Sequence, residues 1–285
     1  MVDLKAFNKS KDFLICVDSD GCIMDTMDIK HFKCFGPCMV KEWGLEQWQD
    51  EILNRWNDIN LYTMTRGINR FAGLSMALSE INEKYCRIEG IEEFVQWANN
   101  AKELSNASVK QMMEESENPI FNKALLWSLA VNQGINALKD YEKKPFEGAR
   151  EGLSALNKKA DIAVVSSANK EAVIEEWNRW GLSSDVDVLC CQDAGTKKEC
   201  IAKLKKQNYK SGHILMVGDA VGDRQAAEIN GVYFYPILVK HETESWNELV
   251  DIALDKFIGL DYADYETQKK REFEENARVF LTIYS

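Results

Sequence analysis

From Glu147 to Tyr235 the chain alternates short apolar runs with helical patterns, and nothing else in it restricts the fold as much. Residues 162–165, 186–190, 213–217 and 232–235 are short, rich in β-branched or aromatic side chains, and bounded by polar or turn residues. Such runs read as strands buried on both faces. Helical patterns fill the gaps, over 147–159, over 170–180 up to Gly181, from the cap residue Thr196 to about Gln207, and over 222–230 up to Gly231. Strands that alternate with helices join through right-handed crossovers and form a parallel sheet covered on both faces. Phe13-Leu-Ile-Cys-Val17 is one more apolar run of the same kind. The expected core is therefore α/β, a Rossmann-like parallel sheet of about five strands with helices on both faces. The tail adds two helices, 245–257 and 267–282; the stripe Trp246, Leu249, Val250, Ala253 and Phe257 is expected to pack back on the core.

Between the first strand and Pro145 the pattern changes. No convincing strand occurs from Ile29 to about Lys144. Residues 43–56, 66–85, 91–101 and 122–138 carry apolar side chains at helical spacing, and Asn118-Pro119 punctuates the stretch before the last of them. A helical block of this length is the size of a small domain. The expected organisation is residues 1–27 as the first part of the core, 28–145 as an inserted all-helical domain, and 146–285 as the second part of the core.

Composition removes several classes of function. Across 285 residues, 46 acidic side chains outnumber 35 Lys and Arg, for a net charge of -11. A general nucleic-acid-binding surface does not fit that balance. No apolar run approaches a membrane span, and the N-terminus lacks the apolar segment of a signal peptide, so a cytoplasmic protein is expected. Cys16 and Cys190-Cys191 fall in predicted strands, and Cys34 and Cys38 lack the second pair of a zinc set. All eight cysteines are expected as reduced thiols.

Polar residues gather where the strands end. Asp18 and Asp20 follow the first strand, with Gly21 to turn the backbone. Ser166 follows the second, Lys197 or Lys198 opens the helix after the third, and Asp219 and Asp223 follow the fourth. In open α/β sheets the ligand site lies at the carboxyl ends of the strands. The ordered set resembles the haloacid dehalogenase-like (HAD) superfamily. Val-Asp-Ser-Asp-Gly-Cys is similar to its first motif and Val-Val-Ser-Ser to its second. Lys197 after Gly195-Thr196 fits the third, and Met-Val-Gly-Asp-Ala-Val-Gly-Asp the fourth. Two positions depart from the pattern: Cys22 stands where Thr or Val is usual, and the lysine region lacks the common Pro.

The resemblance implies phosphoryl transfer through an aspartyl-phosphate with Mg²⁺ as cofactor, and a helical block that acts as a cap. It assigns Asp18 as nucleophile, Asp20 as proton carrier, Ser166 as a hydrogen-bond donor to the phosphoryl group and Lys197 as a fixed positive charge. Asp18, the carbonyl of Asp20, Asp219 and Asp223 become the expected Mg²⁺ ligands, an oxygen set suited to a hard cation. An acid at Asp20 points to a phosphatase or phosphomutase; dehalogenase and phosphonatase members lack it.

For the substrate, the cluster Asn60-Leu-Tyr-Thr-Met-Thr-Arg-Gly-Ile-Asn-Arg-Phe71 is the main candidate. Arg66 and Arg70, four residues apart, are expected on one helix face as an anion clamp, with Asn69 beside them. Surface arginines are the plainer alternative. Ser167 and Asn169 after the second strand are further substrate candidates, and Trp127, Ser128 and Asn132 weaker ones. The expected function is a Mg²⁺-dependent phosphatase acting on a small phosphorylated metabolite, with no nucleic-acid or membrane partner. The alternatives are a phosphomutase of β-phosphoglucomutase type and a non-catalytic phospho-acceptor or binding protein on the same fold.

Overall fold

A computed structural model describes the backbone of residues 1–283 and the side chains of residues 1–277. Residues 1–26 and 143–282 form one compact unit, and residues 27–142 form another. The first unit holds a six-stranded sheet in the order β1-β6-β5-β2-β7-β8, every neighbouring pair parallel. Its strands are β1 (Val2–Asp3), β2 (Leu14–Val17), β5 (Asp161–Val165), β6 (Val188–Cys190), β7 (Ile214–Gly218) and β8 (Tyr233–Pro236). A separate antiparallel ribbon pairs β3 (Met24–Asp25) with β4 (Lys144–Pro145), where the chain leaves the first unit and re-enters it. The sheet is the α/β, Rossmann-like one the apolar runs predict, with one strand more: β1 adds an edge strand through Val2 opposite Val188. Two residues are too few to carry a periodicity, so the sequence pattern does not reveal it.

β2 is central, and all four of its residues are buried. Alternation sends Ile15 and Val17 into one apolar cluster with Trp177, Trp246 and Phe257, while Leu14 and Cys16 enter another with Val188, Met216 and Phe234. Both faces are covered, which is why the run is continuously apolar. The stripe Trp246, Leu249, Ala253 and Phe257 is fully buried in the first of these clusters. All eight cysteines are free thiols. Val17 is in register with Val164 of β5 and Val217 of β7, and Asp18 continues that register by donating its N–H to the Val217 carbonyl at 3.0 Å. β5 and β6 lie on one side of β2 and β7 and β8 on the other, so the strand order reverses at β2, the arrangement that opens a crevice at the strand ends.

Asp161, at the start of β5, ties down the N-terminal segment. Fully buried, it accepts from Ser10 N (2.9 Å), Lys11 N (3.0 Å), the Tyr209 hydroxyl (2.6 Å) and the Ser10 hydroxyl. Burial pushes its carboxyl up, but these donors outweigh burial and hold it below the ordinary carboxylate value. A depressed folded pKa gives stability that is present above the unfolded value and lost as pH falls through the folded one. Asp161→Asn turns an amide N–H toward those donors and is expected to cost about 2–4 kcal/mol, measured by urea unfolding near neutral pH. The difference from the parent should shrink under strongly acidic conditions.

Helices make up the second unit: Gly36–Trp43, Gln49–Asn57, Arg70–Lys84, Ile91–Asn100, Asn106–Glu115 and Pro119–Ala137, with shorter turns between them. Trp56, Phe71, Phe94, Phe121 and Trp127 fill its core. Two sequence expectations need correction. Residues 43–56 are not one helix, because Gly44 adopts φ 67° and ends the first of two helices there. The expected helix 66–85 begins only at Arg70, with the Asn69 side chain as its cap, accepting from Phe71 N at 2.9 Å.

Candidate active site

The loop after β2 starts with Asp18, whose carboxylate is almost buried. Its Oδ1 accepts from the N–H of Ser19 at 2.7 Å, and its Oδ2 lies 2.6 Å from Lys197 Nζ. The same ammonium lies 2.6 Å from Asp223 Oδ1. Asp223 turns its other oxygen to Ala220 N–H at 3.1 Å, capping the helix Val221–Asn230. Gly218, at the end of β7, makes room for this: a Cβ there would lie 2.4 Å from Asp223 Cγ. Asp219 completes the group, and the oxygens of Asp18, Asp219 and Asp223 lie within 4.8 Å of one another.

Electrostatics follow from that crowding. Burial raises the Asp18 carboxyl well above its ordinary value; Lys197 opposes the rise, and Asp223 and Asp219 add to it. Burial works against the charged form of Lys197, but Asp18 and Asp223 outweigh it and raise its pKa. One ammonium thus pairs with two members of a cluster of three buried carboxylates. The donor set is all oxygen and short of positive charge, and it fits a hard divalent cation of the Mg²⁺ kind.

Asp20 is half-buried, and its Oδ1 accepts from the hydroxyl of Thr26 at 2.5 Å. Gly21, at φ 83°, turns the chain between them. Thr26 is fully buried, and the sequence does not single it out, because its pairing depends on a turn geometry that spacing does not show. Ser166 follows β5, buried, with its Oγ accepting from Ala168 N–H at 3.1 Å. Lys197 is the lysine that meets the acids, whereas Lys198 is exposed. Ser167 is exposed, and Asn169 uses its side-chain oxygen to cap the helix Lys170–Arg179.

In the helical unit the expected clamp has a different form. Arg66 lies in the turn before the helix, not on its face. It is 5% exposed, which removes the surface reading, and its Nη1 donates to the Leu61 carbonyl at 2.9 Å. Asn69 is engaged at both ends of its amide, as the cap and as a donor to Leu104 O at 2.9 Å. Arg70 Nη1 donates to Ser128 Oγ (2.9 Å) and Asn132 Oδ1 (2.8 Å), and its guanidinium stands 5.1 Å from the Phe35 ring centre. Among the described residues no carboxylate pairs with Arg70, and burial lowers its pKa. Trp127 is a core residue, fully buried, with its indole N–H on the Phe35 carbonyl.

The chain belongs to the haloacid dehalogenase-like hydrolases, whose family model matches residues 75–237. That stretch holds Ser166, Lys197, Asp219 and Asp223 but begins after Asp18. Among solved structures, the chain is similar to a haloacid dehalogenase-like hydrolase of Streptococcus pneumoniae, at 14% identity and TM-score 0.51, covering 79% of this chain and 83% of that one. It is also similar to a protein of Lactobacillus delbrueckii subsp. bulgaricus assigned by inference as a phosphoglycolate phosphatase, at 16% identity and TM-score 0.50, covering 80% and 86%. Identities this low bear on fold alone. No curated protein matches the chain. Among the described residues, no helix is long and apolar enough to cross a membrane.

Proposed function

We propose that the protein is a Mg²⁺-dependent phosphatase that hydrolyses a small phosphorylated metabolite through an aspartyl-phosphate. The observation that carries this reading is the buried cluster of Asp18, Lys197, Asp219 and Asp223, in which Asp18 and Asp219 follow the adjacent strands β2 and β7. In the first step an Asp18 oxygen forms a bond to phosphorus as the bond from phosphorus to the leaving oxygen breaks. Asp20 gives that oxygen its proton. In the second step water attacks the phosphorus of the acyl phosphate, Asp20 takes up a proton, and the Asp18 carboxylate is released with inorganic phosphate. Lys197 and Ser166 hold the phosphoryl oxygens. Asp18, Asp219 and the Asp20 carbonyl would hold Mg²⁺, with Asp223 as a further ligand or as the anchor of Lys197; the ion supplies positive charge opposite the phosphoryl oxygens.

The substrate assignment extends to the helical unit. Arg70 is a fixed cation with no carboxylate partner among the described residues, suited to a carboxylate or second phosphate. Arg66, Asn69, Ser167 and Asn169 stay candidates of lower rank, since the described contacts tie Arg66 to Leu61, Asn69 to its helix cap and to Leu104, and Asn169 to its helix cap. The free thiols agree with a cytoplasmic location.

A panel of phosphometabolites, assayed for phosphate release with Mg²⁺ and in excess EDTA, tests the proposal. Turnover is expected only with Mg²⁺, and Ca²⁺ should support it poorly because its looser coordination misplaces the reacting groups. Full activity in EDTA would remove the metal from the mechanism. No turnover across the panel, with metal still bound, would favour the non-catalytic alternative. Dependence on a bisphosphate activator would favour the phosphomutase.

A further inference from the structure

We infer that Trp177 is a positioning residue for Asp18, acting through the hydroxyl of Ser19. Trp177 lies on the helix Lys170–Arg179, fully buried, and its indole N–H donates to Ser19 Oγ at 2.9 Å. Ser19 is itself fully buried and stands between the two acids of the loop. Each of its polar groups has a separate task. Its N–H holds Asp18 Oδ1 at 2.7 Å. Its carbonyl accepts from Ile23 N (3.0 Å) and Met24 N (2.9 Å), closing the turn that contains Asp20. Its hydroxyl is the anchor point for Trp177. A second buried indole, on Trp246, holds the same loop further along, donating to the Cys22 carbonyl at 2.9 Å. Gly152 allows that approach, since a Cβ there would meet the Trp246 ring at 2.5 Å.

Packing explains two large aromatic side chains under the loop, but it does not explain why both place their one N–H on loop oxygens. A nucleophile has to keep its attack geometry to a fraction of an ångström, and small displacements lower the rate steeply. Ser19 has the placement to transmit such a displacement, because the Asp18 carboxylate and the turn both hang on its backbone. The inference rests on the reading of Asp18 as nucleophile.

The test uses the full chain, a substrate found in the phosphoester panel, and the variants Trp177→Phe, Ser19→Ala and the pair combined. Phe keeps part of the aromatic packing, deletes the donor and leaves a small cavity; Ala at Ser19 deletes the acceptor with little change of volume and so controls for that cavity. Each single variant is expected to lower kcat per titrated active site by about threefold to thirtyfold, with KM changed less than about twofold. The double variant should be no slower than the slower single one, because both remove the same bond. A role in packing alone would reduce the folded fraction and the melting temperature while leaving kcat per titrated site at the parent value, and that result would overturn the inference. So would additive losses in the double variant. If Trp177→Phe does not fold, Ser19→Ala carries the same test. Asp18→Asn, run alongside, separates the two readings: turnover there means Asp18 is not the nucleophile, whereas an inactive Asp18→Asn beside a parent-like Trp177→Phe defeats only the positioning role.

Discussion

Asp18→Asn is expected to abolish phosphoester turnover, by about four orders of magnitude or more, in a protein that still folds. An amide has no anionic oxygen to bond to phosphorus, so the covalent route closes altogether. The fold should tolerate the change for a reason visible in the site. Burial already disfavours the Asp18 charge, and Asp223 and Asp219 add to that cost, with only Lys197 opposing it. An amide removes the buried charge and keeps an oxygen for the Ser19 N–H; its NH2 then faces Lys197, and that unfavourable contact offsets part of the relief while Lys197 stays paired with Asp223. In metal-free buffer the variant should therefore melt within a few degrees of the parent. Phosphate release per mole of folded protein measures the first expectation and thermal unfolding the second. Residual hydrolysis above about one per cent of the parent would assign the nucleophile elsewhere.

How much of this was legible in the sequence depends on how local each feature is. β2, β5 and β7 announce themselves because burial on both faces demands an apolar run, and Asp18, Ser166 and Asp219 follow directly where those runs stop. The helical unit is legible as helical from its apolar spacing, but that spacing runs straight through its internal breaks at Gly44 and Asn69. Arg66 and Arg70 share a helix face only if the helix spans both, and Asn69 starts it between them. That cap signal was present in the sequence: an Asn immediately ahead of a periodic apolar segment. Gly44 likewise marked a break inside what looked like one amphipathic stretch. Other features had no local signal. The bond from Trp177 to Ser19 joins residues 158 apart, and the one from Trp246 to Cys22 joins residues 224 apart. Neither follows from spacing, because each depends on how a helix packs against the sheet.

Lys197 and Lys198 give the other large expected effect, as a contrast between neighbours. Thr196 caps the helix Lys197–Lys205 in a reciprocal box with Glu199, so the two lysines occupy its first two positions and point in different directions. Lys197 Nζ reaches Asp18 and Asp223 at 2.6 Å each, with little exposure; Lys198 faces solvent. Lys197→Met keeps the length and much of the volume of the side chain but leaves three buried carboxylates with no ammonium among them. Turnover is expected to fall about a hundredfold to ten-thousandfold, the range for losing a fixed charge at a phosphoryl site. Stability should respond too: the variant in EDTA should melt below the parent, and added Mg²⁺ should raise its melting temperature, since an ion that binds only the folded state stabilises it. Lys198→Met should stay within about twofold of the parent in kcat/KM, as surface substitutions usually do. Steady-state kinetics on both variants, with melting curves in EDTA and in Mg²⁺, decide the matter. A severe loss in Lys198→Met with a parent-like Lys197→Met would reverse the assignment. Parent-like kinetics in both would mean that neither lysine carries the charge at the phosphoryl group, and that the ammonium between Asp18 and Asp223 serves only to hold the acids together.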